Sequence, residues 1–379
     1  MRLSSTDQDR MRRVLWLARR GYGSTSPNPM VGALLVQRGK VIGQGWHRRA
    51  GGPHAELQAL RDAVRRGHDP RGATLYVTLE PCSTHGRTPP CTEAIIDAGI
   101  ARVVVAATDP NPAHAGRGFR ILKRAGVEIG TGVLAGEATR LNESFNHWIV
   151  HRTPFVTVKA AMTLDGKIAT ASGRSKWITG EAARAEGMKL RRGADAILVG
   201  VNTILADDPS LTLRGFQESK LKAQTSKLRR IILDSRARTP LGTQIVNDGS
   251  AHLTTIVVTK AAPARRVAAL ARRVAVWTAP AREGRVDLRW LLKKLGSENV
   301  TNLLVEGGGE VNAAFLLDGL AQRAVFFYAP RILGGRESRK AVAGAGARSL
   351  DEALTLRALE WRRAGVDLMM TARVDDLAV

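Results

Sequence analysis

The chain has 379 residues, a net charge of +24 and a hydrophobic content of 44%. That length allows two domains, each with its own core, and no apolar stretch approaches the length of a membrane span. Arginine is spread through both halves and aromatics make up only 4%, so stacking platforms for single strands are scarce and the charge points to small phosphates instead of nucleic acid. The charged start, with no uninterrupted apolar run, predicts no signal peptide and a cytoplasmic, reducing setting.

In chain order, residues 7–20 carry apolar positions at helical spacing and end at Gly21. Residues 30–36 and 41–45, joined by an Arg-Gly-Lys turn, read as a hairpin. Residues 54–66 read as a helix with His54 and Glu56 in its first turn. Residues 74–79 form a buried strand delivering Glu80, Pro81 and Cys82. Pro89 and Pro90 open a second helix near Cys91, where proline is tolerated. A strand at 101–106 and a helix at 119–125 follow. Composition shifts near 146–153, predicting domains at 1–150 and 151–379. The second begins with a strand at 154–159. Strands at 196–199, 230–234, 253–259, 302–305 and 324–329 then alternate with helical stretches, the pattern of an α/β domain.

His54, Cys82 and Cys91 offer imidazole and thiolate donors, and Cys82 and Cys91 are the chain's two cysteines. Three such ligands suit zinc and leave a fourth position where a water is activated. Glu56, two residues from the histidine, is placed to move protons. H-x-E followed by P-C and a later C is the signature of zinc deaminases of nucleobase-like rings. A disulfide or a buried apolar pair is the competing reading of the cysteines. His47, His68, His114 and His147 have no partners at ligand spacing and read as ordinary histidines.

Eight residues separate the cysteines, where tRNA adenosine and cytidine deaminases have two. The run Pro81-Cys-Ser-Thr-His-Gly-Arg-Thr-Pro-Pro-Cys91 closely resembles the deaminase domain of the bifunctional riboflavin-biosynthesis deaminase/reductases. Pro27-Asn28-Pro29-Met30-Val31-Gly32, Ala50 to Glu56 and Asp109-Pro-Asn-Pro112 with Gly116-Arg-Gly118 match it too. The resemblance implies a cytidine-deaminase-like three-layer α/β/α first domain, with zinc on His54, Cys82 and Cys91 and Glu56 as the catalytic proton shuttle. It implies substrate contacts from Asn28, which could instead be a turn residue. It places His85 and Arg87 near a ribose phosphate; an exposed basic loop is the alternative. Many members carry two consecutive histidines in this loop, and here the first is Thr84, so that contact does not transfer.

Lys159 to Ala169, Ser172 to Gly180, Leu205 to Arg214 and Val305-Glu-Gly-Gly-Gly309 resemble the same family's reductase domain, which implies a dihydrofolate-reductase-like α/β fold and NADPH. A buried strand running into three glycines and a helix also suits a pyrophosphate on physical grounds, although it could be a plain turn. No dinucleotide fingerprint of the G-x-G-x-x-G kind is present. By position, Ala161, Trp177, Thr203, Asp207, Gly307, Gly308 and Gly309 would line the cofactor. Lys159, Ser175, Arg191, Leu211, Arg214 and Glu306 would face the substrate, with Arg191 and Arg214 as phosphate clamps. Surface exposure for each arginine and core packing for Trp177 are the alternatives.

These readings converge on a bifunctional enzyme acting on a phosphorylated pyrimidine, with no nucleic-acid or membrane partner; the resemblance also implies a homo-oligomer. A nucleoside or tRNA deaminase fused to an unrelated domain, a non-catalytic zinc module and a nucleic-acid-binding protein are the competing classes.

Overall fold

A computed structural model describes residues 4–85, 89–213 and 228–374. The chain divides into two compact units, the first ending at Arg152 and the second beginning at Thr153. Among the described residues no helix is long and apolar enough to cross a membrane.

The first unit runs α1 (Ser5–Arg19), β1 (Gly32–Gln37), β2 (Lys40–Trp46), α2 (Ala55–Arg65), β3 (Thr74–Leu79), α3 (Cys91–Asp97), β4 (Arg102–Ala107), α4 (Arg117–Arg124), β5 (Glu128–Thr131), α5 (Ala135–Leu141) and α6 (Glu143–His151). Ser4 caps α1 by accepting from the Asp7 N–H, and Asp7 accepts in return from Ser4 N–H, a capping box that fixes where the helix starts. The sheet order is β2-β1-β3-β4-β5. β1 is antiparallel to β2 and β3, while β3, β4 and β5 run parallel. Strand alternation sorts the core into two layers. Ala33, Leu35, Leu75, Val77, Val103 and Val105 meet Ala59 of α2, Ile95 of α3 and Leu122 of α4. Leu34, Val36, Tyr76 and Val104 turn the other way, toward Met11 and Val14 of α1 and Ala138 of α5. The result is the expected three-layer sandwich.

The second unit runs β6 (Phe155–Thr163), β7 (Lys167–Ala169), α7 (Glu181–Gly193), β8 (Ala196–Gly200), α8 (Val201–Asp207), β9 (Arg229–Leu233), α9 (Gln244–Asn247), β10 (Thr254–Thr259), α10 (Ala264–Ala271), β11 (Ala275–Ala279), β12 (Ala281–Arg282), β13 (Arg285–Val286), α11 (Leu288–Ser297), β14 (Asn302–Val305), α12 (Gly309–Leu317), β15 (Arg323–Ala329), β16 (Arg339–Lys340), β17 (Arg357–Ala364) and β18 (Asp367–Arg373). Nine strands form one sheet in the order β11-β10-β9-β8-β14-β6-β15-β18-β17. β11 through β15 in that order are parallel, and β18 and β17 add an antiparallel hairpin. One face packs Val156, Val158, Leu198 and Leu303 against Leu291, Leu295 and Phe315 of α11 and α12. The other packs Ile197, Val199, Ile232 and Ile256 against Ile204 of α8 and Leu270 of α10. Both faces being covered is what a parallel sheet requires.

The structure departs from the sequence expectation at several places. The composition shift around 146–153 falls largely within helix α6, Glu143–His151, which was not foreseen. β11, β17 and β18 were not foreseen. β17 is exposed at seven successive positions, so it lacks the in–out alternation by which a strand is read.

Candidate active sites

Two helix starts and one strand end build the first site. His54 is the N-cap of α2 with extended backbone angles, Cys91 is the first residue of α3, and Cys82 follows β3. Their ligand atoms all lie within 4.8 Å of one another. His54 Nδ1 is 3.3 Å from Cys91 Sγ and 3.5 Å from Cys82 Sγ, and Cys91 N–H donates to Cys82 Sγ at 3.2 Å. Contact with Cys91, and then with His54, pulls the Cys82 thiol down to about 4, while its neighbour's negative sulfur and burial push Cys91 up. Cys82, and next Glu56, raise His54 despite its burial. A soft divalent cation fits this donor set, since it replaces the shared proton and takes both sulfurs as thiolates.

Glu56 is 3% exposed, and its Oε2 is a buried oxygen with no hydrogen-bond partner. Burial, reinforced by Cys82, pushes its carboxyl up to about 7. A buried carboxyl in that range, in contact with Cys91 and with one oxygen left unpartnered, is suited to taking up and returning a proton.

Asn28 joins the site through a residue that sequence reasoning dismissed. His47 is 2% exposed, its ring packs edge-on to His54 at 5.4 Å, and burial lowers its pKa. His47 Nδ1 is 3.2 Å from the Pro53 carbonyl, which can only accept, so Nδ1 carries the hydrogen. Nε2 then accepts from Asn28 Nδ2 at 3.2 Å. This fixes the amide so that Oδ1 is left for a ligand. The overlooked signal was two histidines seven residues apart around a tight turn.

Glu80 was also missed. Its buried carboxylate accepts from the N–H groups of Asp109 at 3.2 Å, Gly116 at 2.9 Å and Gly118 at 2.9 Å, pinning the 109–118 loop beside Cys82. His85 is exposed and pairs with Glu93 at 3.2 Å. Arg87 lies outside the described residues.

The second site is a cleft of about 1850 Å³ built wholly from the second unit. Lys159, Ala161, Ser175, Trp177, Thr203, Asp207, Glu306, Gly307, Gly308 and Gly309 all line it. Ser175 Oγ donates to Asp207 Oδ1 at 3.1 Å. Trp177 is 61% exposed with Arg184 over its ring at 4.8 Å, so it is a wall residue and not core packing. A Cβ on Gly307 would sit 2.5 Å from Val311 Cβ, and one on Gly309 would sit 2.3 Å from Lys340 O. Those two glycines allow close packing, whereas Gly308, the N-cap of α12, faces open space. That gives an anionic ligand access to backbone at a helix start, the fit a dinucleotide phosphate needs.

Arg191 and Leu211 have partners of their own within the unit. Arg191 Nε and Nη2 donate to Glu306 at 2.9 and 3.0 Å, and Nη1 donates to Thr212 O at 3.0 Å. The Leu211 side chain is 3% exposed and packs in the core with Ile204 and Ile232. Arg214 lies outside the described residues. Burial would raise the Glu306 carboxyl, but Lys159, 3.6 Å away, and Arg191 outweigh it and hold it at about 2.

Comparison with known proteins finds a deaminase and a reductase region along the chain. The cytidine and deoxycytidylate deaminase zinc-binding region matches residues 4–107, and the RibD C-terminal domain matches residues 154–370. A riboflavin biosynthesis protein RibD from Actinobacillus pleuropneumoniae is 41% identical over 365 residues, covering 96% of this chain and 94% of that one. The solved structure of Acinetobacter baumannii RibD superposes with a TM-score of 0.85 at 35% identity, covering 98% and 99% of the two chains. A diaminohydroxyphosphoribosylaminopyrimidine deaminase/5-amino-6-(5-phosphoribosylamino)uracil reductase from Thermotoga maritima gives 0.83 at 33% identity, covering 97% and 99%. With a zinc-binding deaminase domain followed by a reductase domain along its length, the chain belongs to the RibD family of bifunctional riboflavin-biosynthesis enzymes.

Proposed function

We propose that residues 1–150 hydrolytically deaminate 2,5-diamino-6-(ribosylamino)-4(3H)-pyrimidinone 5′-phosphate and that residues 151–379 reduce the resulting ribosylamino uracil phosphate with NADPH to its ribityl form. The observation that carries the first step is the buried Glu56 carboxyl, its Oε2 without a partner, beside three converging ligands. The name of the Thermotoga maritima relative supports the substrate.

His54, Cys82 and Cys91 would hold zinc, which when bound supplies a Lewis acid that activates water. Glu56 takes the first proton of the attacking water and delivers it to the ring nitrogen. It then takes the second from the hydroxyl now on the ring carbon and passes it to the amino group, which leaves as ammonia as the C–N bond breaks and the carbonyl forms. Asn28 Oδ1, fixed by His47, accepts from the ring's N–H edge. His85 and Arg87 serve the ribose phosphate.

In the second unit NADPH supplies hydride. Ala161, Trp177, Thr203, Asp207, Gly307, Gly308 and Gly309 would hold it along the cleft. Lys159 is placed to give a proton to the sugar oxygen as the ring opens, and Glu306 orients its ammonium. Ser175 and Arg214 would face the substrate phosphate, with the main chain at Leu211 beside them. Arg191 ties Glu306 to the Thr212 carbonyl, so it positions the substrate-facing segment. The enzyme would work in the cytoplasm as a homo-oligomer, with no nucleic-acid partner.

Mass spectrometry of the ribotide product tests this. The expected result without NADPH is replacement of one amine by oxygen, and with NADPH a further gain of two hydrogens. Glu56→Gln should keep zinc and lose ammonia release by a factor of about 10² to 10⁴; full turnover in that variant would exclude the carboxylate as proton carrier.

A further inference from the structure

Among the described residues the largest fully buried side chain is Arg230 of β9, 1% exposed and outside the lining of the cleft. Its five N–H donors are all used. Nε donates to Thr254 Oγ1 at 2.9 Å, Nη1 to Asp248 Oδ2 at 2.6 Å and to Ser210 O at 2.8 Å, and Nη2 to Asp248 Oδ1 at 2.8 Å and to Ile245 O at 3.0 Å. A planar guanidinium fixes such acceptors relative to one another. Ile245 lies in α9 and Asp248 is its C-cap, so Arg230 ties that single turn of helix to the Ser210 carbonyl. α9 makes a second tie two residues earlier. The Gln244 N–H donates to Asp208 Oδ1 at 2.8 Å, and Gln244 Nε2 donates to Asp208 O at 2.7 Å.

The segment held in this way is sharply bent. Asp208 has φ +38° and Leu211 φ +52°, a left-handed backbone that residues other than glycine keep only where their surroundings impose it. The Leu211 side chain is sunk in the core, and the carbonyls on either side of it are each captured by a guanidinium, Ser210 O by Arg230 and Thr212 O by Arg191. In a trans peptide the C=O and the following N–H point in opposite directions. The Leu211 N–H is therefore turned away from Arg230 and the Leu213 N–H away from Arg191. Neither has a partner among the described residues. N–H groups turned outward on one left-handed bend suit an anion. The bend starts directly after Asp207, which lines the cleft and accepts from Ser175.

We propose that Arg230 and Gln244 are positioning residues of the reductase. Braced on α9, they hold residues 208–212 so that the N–H groups of Leu211 and Leu213 meet the substrate phosphate. This role rests on the reductase reading above, in which the main chain at Leu211 lies beside that phosphate.

Steady-state oxidation of NADPH by full-length enzyme, with the deaminated ribotide varied, tests it. Gln244 is exposed, so Gln244→Ala leaves the core intact; it should raise the ribotide KM by about threefold or more with kcat within about twofold. Arg230→Lys keeps a charge for Asp248 but loses the fork, and should raise the same KM by about tenfold or more with kcat again little changed. That split marks the loss of binding shared by ground and transition states. A purely structural role would lower kcat at an unchanged KM, because fewer molecules are intact, and that result would overturn the positioning role. So would a ribotide KM left at its wild-type value in either variant that folds. Should Arg230→Lys fail to fold, Gln244→Ala decides alone. A wild-type enzyme that oxidises no NADPH with this ribotide would overturn the reductase reading itself; a working wild type with an unmoved KM in the variants would overturn the positioning role only.

Discussion

Glu306 keeps its charge in a place where burial works against it, because Lys159 and Arg191 sit on either side. Its carboxyl is held at about 2 against an ordinary value of 4.5. A depressed carboxyl contributes stability that is complete above the unfolded value and drains away as pH falls through the folded one. At about 1.4 kcal/mol for each pH unit, the contribution is about 3 kcal/mol and disappears between about pH 5 and pH 2. Urea unfolding across that window should therefore show a steeper loss in wild type than in Glu306→Gln; equal slopes would mean that the carboxylate is not held by its cations. The same residues mark a limit of sequence reading. Arg191 and Glu306 are 115 positions apart, so no local pattern joins them as an ion pair. His54, Cys82 and Cys91 were legible because spacing alone declares a soft-metal donor set. His47 was not, because its importance lies in the hydrogen it fixes on Asn28.

Elements set the zinc site through how closely they pack. α2 lies directly on β2 at two glycines. A Cβ on Gly43 would fall 2.4 Å from Ala59 O, and one on Gly45 would fall 2.6 Å from Ala59 N and 2.7 Å from Ala55 O. Ala55 is the residue after His54, so a shift of α2 moves a ligand and Glu56 together. Gly45→Ala should lower stability by about 1–3 kcal/mol through overpacking and leave less zinc per chain after dialysis. Unchanged metal content with a lowered melting temperature would separate the packing from the site. The sequence placed this helix at 54–66, and it spans Ala55–Arg65; what it did not reveal was which strand glycines face it. The β17–β18 hairpin escaped for a related reason: a strand exposed at almost every position carries no burial period to read.

At the scale of the molecule, both chemistries are local. Each residue of the zinc site precedes Arg152, and every residue lining the cleft follows Thr153. The two-domain division was legible because a new strand–helix series opens at 154–159, although helix α6 at the boundary was not. Separate sites within separate cores should respond separately to loss of metal. Chelation of the full-length enzyme should abolish ammonia release, because Glu56 alone cannot activate water. Oxidation of NADPH by the deaminated ribotide should persist within about twofold, since the donors around Glu306 and Lys159 include neither sulfur nor imidazole and hold no soft cation. Readdition of zinc should restore deamination without altering the reductase rate. Parallel loss of both activities on chelation would mean that zinc maintains the second unit as well, and that the two sites are not independent.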